Sequence, residues 1–231
     1  NNIKLIVLDR PNPNGSYVDG PVLDTNFTSF VGMHPVPIVH GMTIGEYAKM
    51  INGEGWLGND LVTDLKIIPL ANYSHDSYYS LPVPPSPNLR SDLSIQLYPS
   101  LCLFEATTVS IGRGTEFPFE IYGHPAFKSE SYSFVPKSSF GAKSPKLEGE
   151  TCKGYRLSNN DLSFPRKFEL SFLINACQEL EGQKFIETSR FFNLLAGNDV
   201  LQQQLIDHVS EEEIRASWSA GLEEYRKIRL R

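Results

Sequence analysis

The sequence predicts an α/β protein in which part of a parallel sheet precedes a smaller, mixed α+β region that ends in helices. Three observations predict this class. The chain opens on an apolar, β-branched run at 3–8 that is typical of a parallel strand covered on both faces. Two segments have the residue pattern of helix capping boxes, and the last third has apolar residues at helical spacing.

The strand at 3–8 has almost nothing before it, although a parallel strand needs a neighbour joined by a crossover helix. We therefore expect the chain to be the back portion of a larger α/β protein. Residues 9–13 follow at the carboxyl end of this strand, where open α/β sheets bind their ligands. Arg10 and Asn12 are thus candidate binding residues, although Asn-Pro and Asp-containing segments also form ordinary turns.

A long loop over 12–41 leads to a helix that begins with a capping box, in which Thr43 is the N-cap and Glu46 lies three residues later. This helix should extend to about residue 52. His40 lies just before the helix start, where an anionic ligand would be favoured. A lone histidine is more often a structural hydrogen-bonding residue, so both interpretations stay open. A strand is predicted within 61–70.

The segment 82–90 contains four prolines, which remove the donors that a ladder or helix would need. It should be rigid, extended chain that acts as a linker or holds Asn88 in place. A short helix is predicted over 91–103. Later, 129–164 is irregular apart from a short strand at 154–157.

A pair of glycines flanks Arg113 and resembles a phosphate-binding loop, but no complete phosphate-loop or dinucleotide motif is present. Glycines allow close approach of a ligand to the backbone, and an arginine can bind a carboxylate with two parallel hydrogen bonds. Glu105 and Glu120 flank this turn in sequence. Either Arg113 binds a ligand, or it forms a structural ion pair with Glu105 or Glu120.

The C-terminal region is predicted to be helical, with helices at 168–181 and 200–208 and a third that begins with the capping box of Ser210 and Glu213. Phe191, Phe192 and Trp218 are expected in the core. We interpret these helices as scaffold because their apolar faces carry no cluster of titratable groups.

Bulk properties exclude several functions. A net charge of −6 and a pI near 5.4 argue against general nucleic-acid binding. No apolar run approaches the roughly 20 residues of a membrane span, and no signal peptide is visible. The three cysteines are widely spaced, which favours free thiols over one disulfide. The five histidines show no metal-binding spacing, so we predict neither a metal nor another cofactor.

Taken together and in this order, several motifs resemble the NamZ (YbbC-like) family of exo-β-N-acetylmuramidases. Each is weak alone, but they recur in register along nearly the whole chain. The motifs are 9–13, 19–21 with Asp24, 29–32, 40–46, 84–88, 98–99, 110–115, 118–120, 195–197 and 213–218.

The resemblance implies a bacterial glycosidase that removes N-acetylmuramic acid from the non-reducing end of peptidoglycan fragments in cell-wall recycling, in the periplasm or as a secreted protein. It further implies the last part of a Rossmann-like domain at 1–80 and a C-terminal α+β domain at 81–231. The site would lie in the cleft between them. Its partners would be muramic acid saccharides and the absent N-terminal half of the same protein.

Within that family, Glu105 and Glu120 would be the catalytic carboxylates of this chain, and Arg10, Asn12, His40, Asn88 and Arg113 would bind substrate. Arg113 or Arg10 would pair with the lactyl carboxylate of muramic acid. The family's Pro-Glu-His-Gly motif, whose glutamate is the expected catalytic acid, has no counterpart here, so the chain alone is expected to be inactive. Residues 105–108 also depart from the usual Glu-Gly-Thr-Asn.

The main alternative is a non-catalytic sugar-binding or scaffold module that has the same cleft loops and works with a partner chain. An unrelated hydrolase has little support, because neither a catalytic triad nor a metal motif is present. The reading frame upstream of residue 1 distinguishes the first two alternatives. A Rossmann-like half with a cleft glutamate favours the glycosidase, and a start codon near residue 1 favours the binding module.

Overall fold

The structure is a computed structural model that describes residues 3–158 and 167–230. It confirms the mixed α/β class, with parallel and antiparallel strands and several helices. In the described residues the strands are β1 (Leu5–Leu8), β2 (Asp19–Val22), β3 (Pro37–Val39), β4 (Leu65–Ile68), β5 (Ile121–His124), β6 (Tyr132–Phe134) and β7 (Cys152–Arg156). The α-helices are α1 (Ile44–Gly53), α2 (Asp92–Leu101), α3 (Ser171–Glu179), α4 (Ser189–Ala196), α5 (Val200–Ile206) and α6 (Glu211–Arg229).

Strand β1 pairs in parallel with β4, which agrees with the parallel sheet that the sequence predicts, and α1 is the helix of the crossover between them. The predicted burial of β1 is wrong. Leu5, Ile6 and Leu8 are 50%, 54% and 68% exposed. The reason is the size of the sheet: in the described residues it has two strands, and α1 is the helix that packs against both of them. Apolar composition alone does not tell how many neighbours a strand has.

The predicted loop at 12–41 contains two strands that the sequence analysis missed. β2 and β3 form an antiparallel pair with an irregular register, and α6 packs against β2. Asp19 of β2 forms an ion pair with Arg215 of α6, with 3.0 Å between Oδ2 and Nη1. This strand pair is therefore held by the C-terminal helix rather than by the β1–β4 sheet.

The predicted helix starts are confirmed. The Thr43–Glu46 capping box begins α1, and Ser210 with Glu213 forms the one that begins α6. Helix α2 starts with a third box in which Ser91 and Ser94 cap each other, and it continues into a 3-10 turn, Cys102–Ala106. Each box pairs backbone donors that the first turn of a helix leaves without partners.

The second half contains a three-stranded antiparallel sheet in the order β5–β7–β6. Of these strands the sequence predicts only one, at 154–157, which overlaps β7 at 154–156. Residues 159–166 of the irregular stretch at 129–164 lie outside the described residues. Helices α3, α5 and α6 follow the predicted ones, whereas α4 was not predicted as a helix; it contains the buried Phe192.

The main hydrophobic core includes residues from both halves of the chain. One continuous cluster joins Val39, Leu101, Phe104 and Trp218 with the apolar sides of α3, α4 and α5. The predicted boundary between 1–80 and 81–231 stays a prediction. The cysteines at 102, 152 and 177 are free, and no helix of the described residues is long and apolar enough to cross a membrane.

Candidate functional site

The start of α1 holds the loop that follows β1. Asp9 accepts hydrogen bonds from the Thr43 hydroxyl at 2.9 Å and from the Gly45 amide at 2.7 Å. A Cβ on Gly45 would lie 2.8 Å from the Asp9 carboxyl carbon, so only glycine allows this approach. Arg10 donates its backbone amide to the same Asp9 carboxylate, and Arg10 is exposed.

Asn12 and His40 both contact the backbone of Met42. Asn12 donates from Nδ2 to the Met42 carbonyl at 2.8 Å, and His40 accepts the Met42 amide at Nδ1, at 3.1 Å. Burial, followed by the Arg229 guanidinium, lowers the pKa of His40, while Glu46 opposes the shift. The imidazole is thus held neutral.

The start of α2 brings Glu120 and Asn88 to one end of a helix. The Ser91 hydroxyl donates to Oε1 of Glu120 and accepts the Ser94 amide at 3.0 Å. Asn88 is 5% exposed and donates from Nδ2 to the Gly141 carbonyl at 2.9 Å. The contact with Gly141 therefore fixes a buried amide four residues before the first residue of α2.

Arg113 lies between two glycines in left-handed conformations, with φ of 76° at Gly112 and 80° at Gly114. Its Nη2 atom lies 3.3 Å from Oε1 of Glu105, which is one of the structural ion pairs that the sequence allows. The guanidinium carbon lies 5.6 Å from the centre of the Phe119 ring. The Arg113 side chain is 39% exposed, so part of its guanidinium can be reached from solvent. Its Nε atom is buried and has no hydrogen-bond partner among the described residues.

Tyr98 is a site residue that the sequence analysis did not select. Its ring lies 5.3 Å from that of Phe119, and its side chain is partly exposed. Burial, with the nearby Cys102 and Glu105, raises the pKa of Tyr98 to about 12, and Arg113 opposes this shift. The sequence contains a signal that could have identified Tyr98. Tyr98 follows Ser91 by seven residues, or two helical turns, so the two residues lie near the same face of α2.

The seven candidate residues thus form two groups. Glu105, Arg113, Glu120 and Asn88 lie around α2, and with Ser91 and Tyr98 we call them the α2 site. Arg10, Asn12 and His40 lie around the start of α1 instead. The groups are linked by Asn14, whose Nδ2 donates to the Ile95 carbonyl of α2 at 2.9 Å while its amide donates to Asn12 at 2.9 Å. No set of three or more potential metal ligands occurs in 3–158 or 167–230.

The fold is that of a structurally defined class. A DUF1343 family protein from Bacteroides fragilis superposes with a TM-score of 0.92 at 46% identity, over 98% of this chain and 64% of that one. A second DUF1343 protein from the same organism shares the fold, with a TM-score of 0.81 at 20% identity.

The chain belongs to the NamZ family. The model described as exo-beta-N-acetylmuramidase NamZ, N-terminal, matches residues 1–93, and its C-terminal counterpart matches 96–231. A curated relative, the peptidoglycan beta-N-acetylmuramidase NamZ of Bacillus subtilis, is 35% identical over 252 residues. The match covers 99% of this chain and 59% of that protein, so the chain spans a little over half of its relative's length.

Proposed function

We propose that this chain is part of a peptidoglycan β-N-acetylmuramidase that removes N-acetylmuramic acid from the non-reducing end of saccharide fragments. The observation that carries the proposal is membership of the NamZ family, because both NamZ domain models match the chain. The arrangement at Arg113 supports it chemically, since muramic acid bears a lactyl carboxylate and a partly exposed arginine between two glycines suits a carboxylate ligand.

Glycoside hydrolysis needs a carboxylic acid that protonates the leaving oxygen and a second group that assists at the anomeric carbon. Glu105 and Glu120 are our candidates for the second role. The guanidinium of Arg113 lies beside Glu105, and the Ser91 hydroxyl donates a hydrogen bond to Glu120, so both side chains are held in place. A carboxylate at either position would stabilise positive charge that develops at the sugar ring. The proton donor is expected in the part of the protein that precedes these residues.

The test measures kcat/KM of the full-length protein for a muramic acid disaccharide and for its N-acetylglucosamine analogue, which lacks the lactyl carboxylate. Loss of a charge-assisted hydrogen bond costs about 1.5–3 kcal/mol, so Arg113→Ala should lower kcat/KM roughly tenfold or more on the muramic substrate. The loss should be smaller on the analogue. Arg10→Ala, measured in parallel, tests the other candidate partner of the lactyl group.

Glu105→Gln removes the charge of the ion pair but keeps Arg113. Because Glu105 is also a candidate catalytic residue, the thermal midpoint and substrate binding of this variant, rather than its turnover, test whether the ion pair is structural. Equal losses on both substrates in Arg113→Ala would identify Arg113 as a structural residue. Binding without any turnover by the full-length protein would favour the sugar-binding module instead. We expect residues 1–231 alone to be inactive, and the substrate suggests a periplasmic or secreted enzyme, which cell fractionation can test.

A further inference from the structure

Phe140 is the most exposed aromatic side chain near the α2 site. It is 87% exposed and occupies the second position of a four-residue turn. Two backbone hydrogen bonds close this turn, from the Ser139 amide to the Ala142 carbonyl at 3.0 Å and from the Ala142 amide to the Ser139 carbonyl at 3.1 Å. The ring therefore projects from a fixed backbone rather than from an open loop.

The turn contacts the α2 site through Gly141, the residue that follows Phe140. The Gly141 carbonyl accepts the hydrogen bond from the buried Nδ2 of Asn88. A Cβ on Gly141, whose φ is 88°, would lie 2.6 Å from Cβ of Pro87, so the two turns are in direct contact. Phe140 thus lies next to the residue that fixes Asn88.

The two ends of the same loop contact the other part of the site. The Lys137 amide donates to the Gly114 carbonyl at 2.9 Å, directly beside Arg113. Nine residues later, Lys146 donates to the carbonyl of Glu105, at 3.4 Å, and to that of Thr107. The loop 137–146 therefore connects the Arg113–Glu105 pair with Asn88.

We propose that Phe140 forms an aromatic platform at the edge of the α2 site, on which the apolar face of a bound pyranose ring stacks. A β-linked pyranose has axial C–H groups on its faces, and an aromatic face is complementary to them because its negative quadrupole meets weakly positive hydrogens. Ligand sites of this kind combine such apolar surfaces with a few fixed polar groups, which Asn88 and Arg113 provide here. This inference rests on the proposed function and adds a residue that contributes to substrate binding.

The test compares the steady-state kinetics of the full-length wild-type protein with those of Phe140→Ala and Phe140→Trp, with a muramic acid disaccharide as substrate. Phe140→Ala should raise KM roughly tenfold, equivalent to about 1.4 kcal/mol of binding free energy, with little change in kcat. Phe140→Trp keeps an aromatic face and should have a KM close to that of the wild type. The thermal midpoint should not change, because the ring is exposed.

Phe30 provides the matched control. It is 100% exposed, at the second position of another four-residue turn, which the Ser29 and Gly32 amides and carbonyls close at 2.8 and 3.2 Å. Phe30 lies near the other group of candidate residues, because it lines a cavity with His40. We therefore expect Phe30→Ala to raise KM much less than Phe140→Ala does. An unchanged KM in Phe140→Ala, or an equal rise in Phe30→Ala, would overturn the platform while leaving the glycosidase proposal intact. Absence of turnover by the wild-type protein would instead refute the proposed function, and the platform with it.

Discussion

The ion pair between Asp19 and Arg215 should contribute measurably to stability, because it joins β2 to the C-terminal helix. Oδ2 of Asp19 accepts hydrogen bonds from Nη1 of Arg215 at 3.0 Å and from the Phe168 amide at 2.9 Å. The Asp19 side chain is 14% exposed and that of Arg215 is 25% exposed. Asp19→Ala would thus leave a largely buried guanidinium with one carboxylate partner, Glu211.

The expected magnitude follows from these contacts. A hydrogen bond to a charged group contributes about 1.5–3 kcal/mol, and breaking a fully buried pair costs about 3–5 kcal/mol. Because both side chains retain some contact with water and Arg215 keeps Glu211, we expect Asp19→Ala to lower the free energy of unfolding by about 2–3 kcal/mol.

Urea unfolding of Asp19→Ala, Arg215→Ala and the double variant would isolate the coupling between the two side chains, which we expect to be about 1–2 kcal/mol. The exposed pair of Glu224 and Lys227, on the same helix, is the control; there the coupling should be below about 0.5 kcal/mol. Equal coupling in the two pairs would refute the reasoning from burial.

Two further predictions concern the core and the pH dependence. Trp218→Ala should lower the free energy of unfolding by roughly 3–5 kcal/mol, because Trp218 is 7% exposed and packs edge-on against Phe168; an unchanged thermal midpoint would contradict this. His40 has a pKa lowered by burial, so below about pH 6.5 the unfolded chain binds more protons than the folded protein and stability should fall as the pH drops from 6.5. His40→Asn, whose amide oxygen can still accept the Met42 amide, should show a shallower fall in urea titrations at pH 7 and 5, and an identical fall would contradict this.

Local signals in the sequence predicted local structure well. The capping boxes at Thr43 and Ser210 gave correct helix starts, because a capping box is formed by residues three positions apart and needs no tertiary partner. The apolar face of α6, including Trp218 and Tyr225, is buried as its spacing indicates. In these cases the residues that determine the helix start or the buried face lie within the same short stretch of chain as the structure they produce.

Features that depend on distant partners were not predictable in the same way. Strand β2 contains Gly20 and Pro21, residues depleted in strands, and its position depends on α6. The ion pair of Arg113 could equally have been with Glu105 or Glu120, because sequence separation does not give side-chain direction. The sequence therefore predicted these site residues as candidates, but not the two groups into which the fold divides them.

The contacts of α6 with the first part of the chain have a consequence for biosynthesis. Arg215 and Asp19 are 196 positions apart, and the Tyr225 hydroxyl and the Arg229 guanidinium donate to the carbonyls of His40 and Gly41 across 185 and 188 positions. Translation proceeds at about 5–20 residues per second. Many seconds therefore pass between the synthesis of β2 and of the loop before α1 and the emergence of α6 from the ribosome. We therefore expect this part of the nascent chain to complete its folding only after α6 has emerged, and a polypeptide that ends before α6 to be degraded or to aggregate.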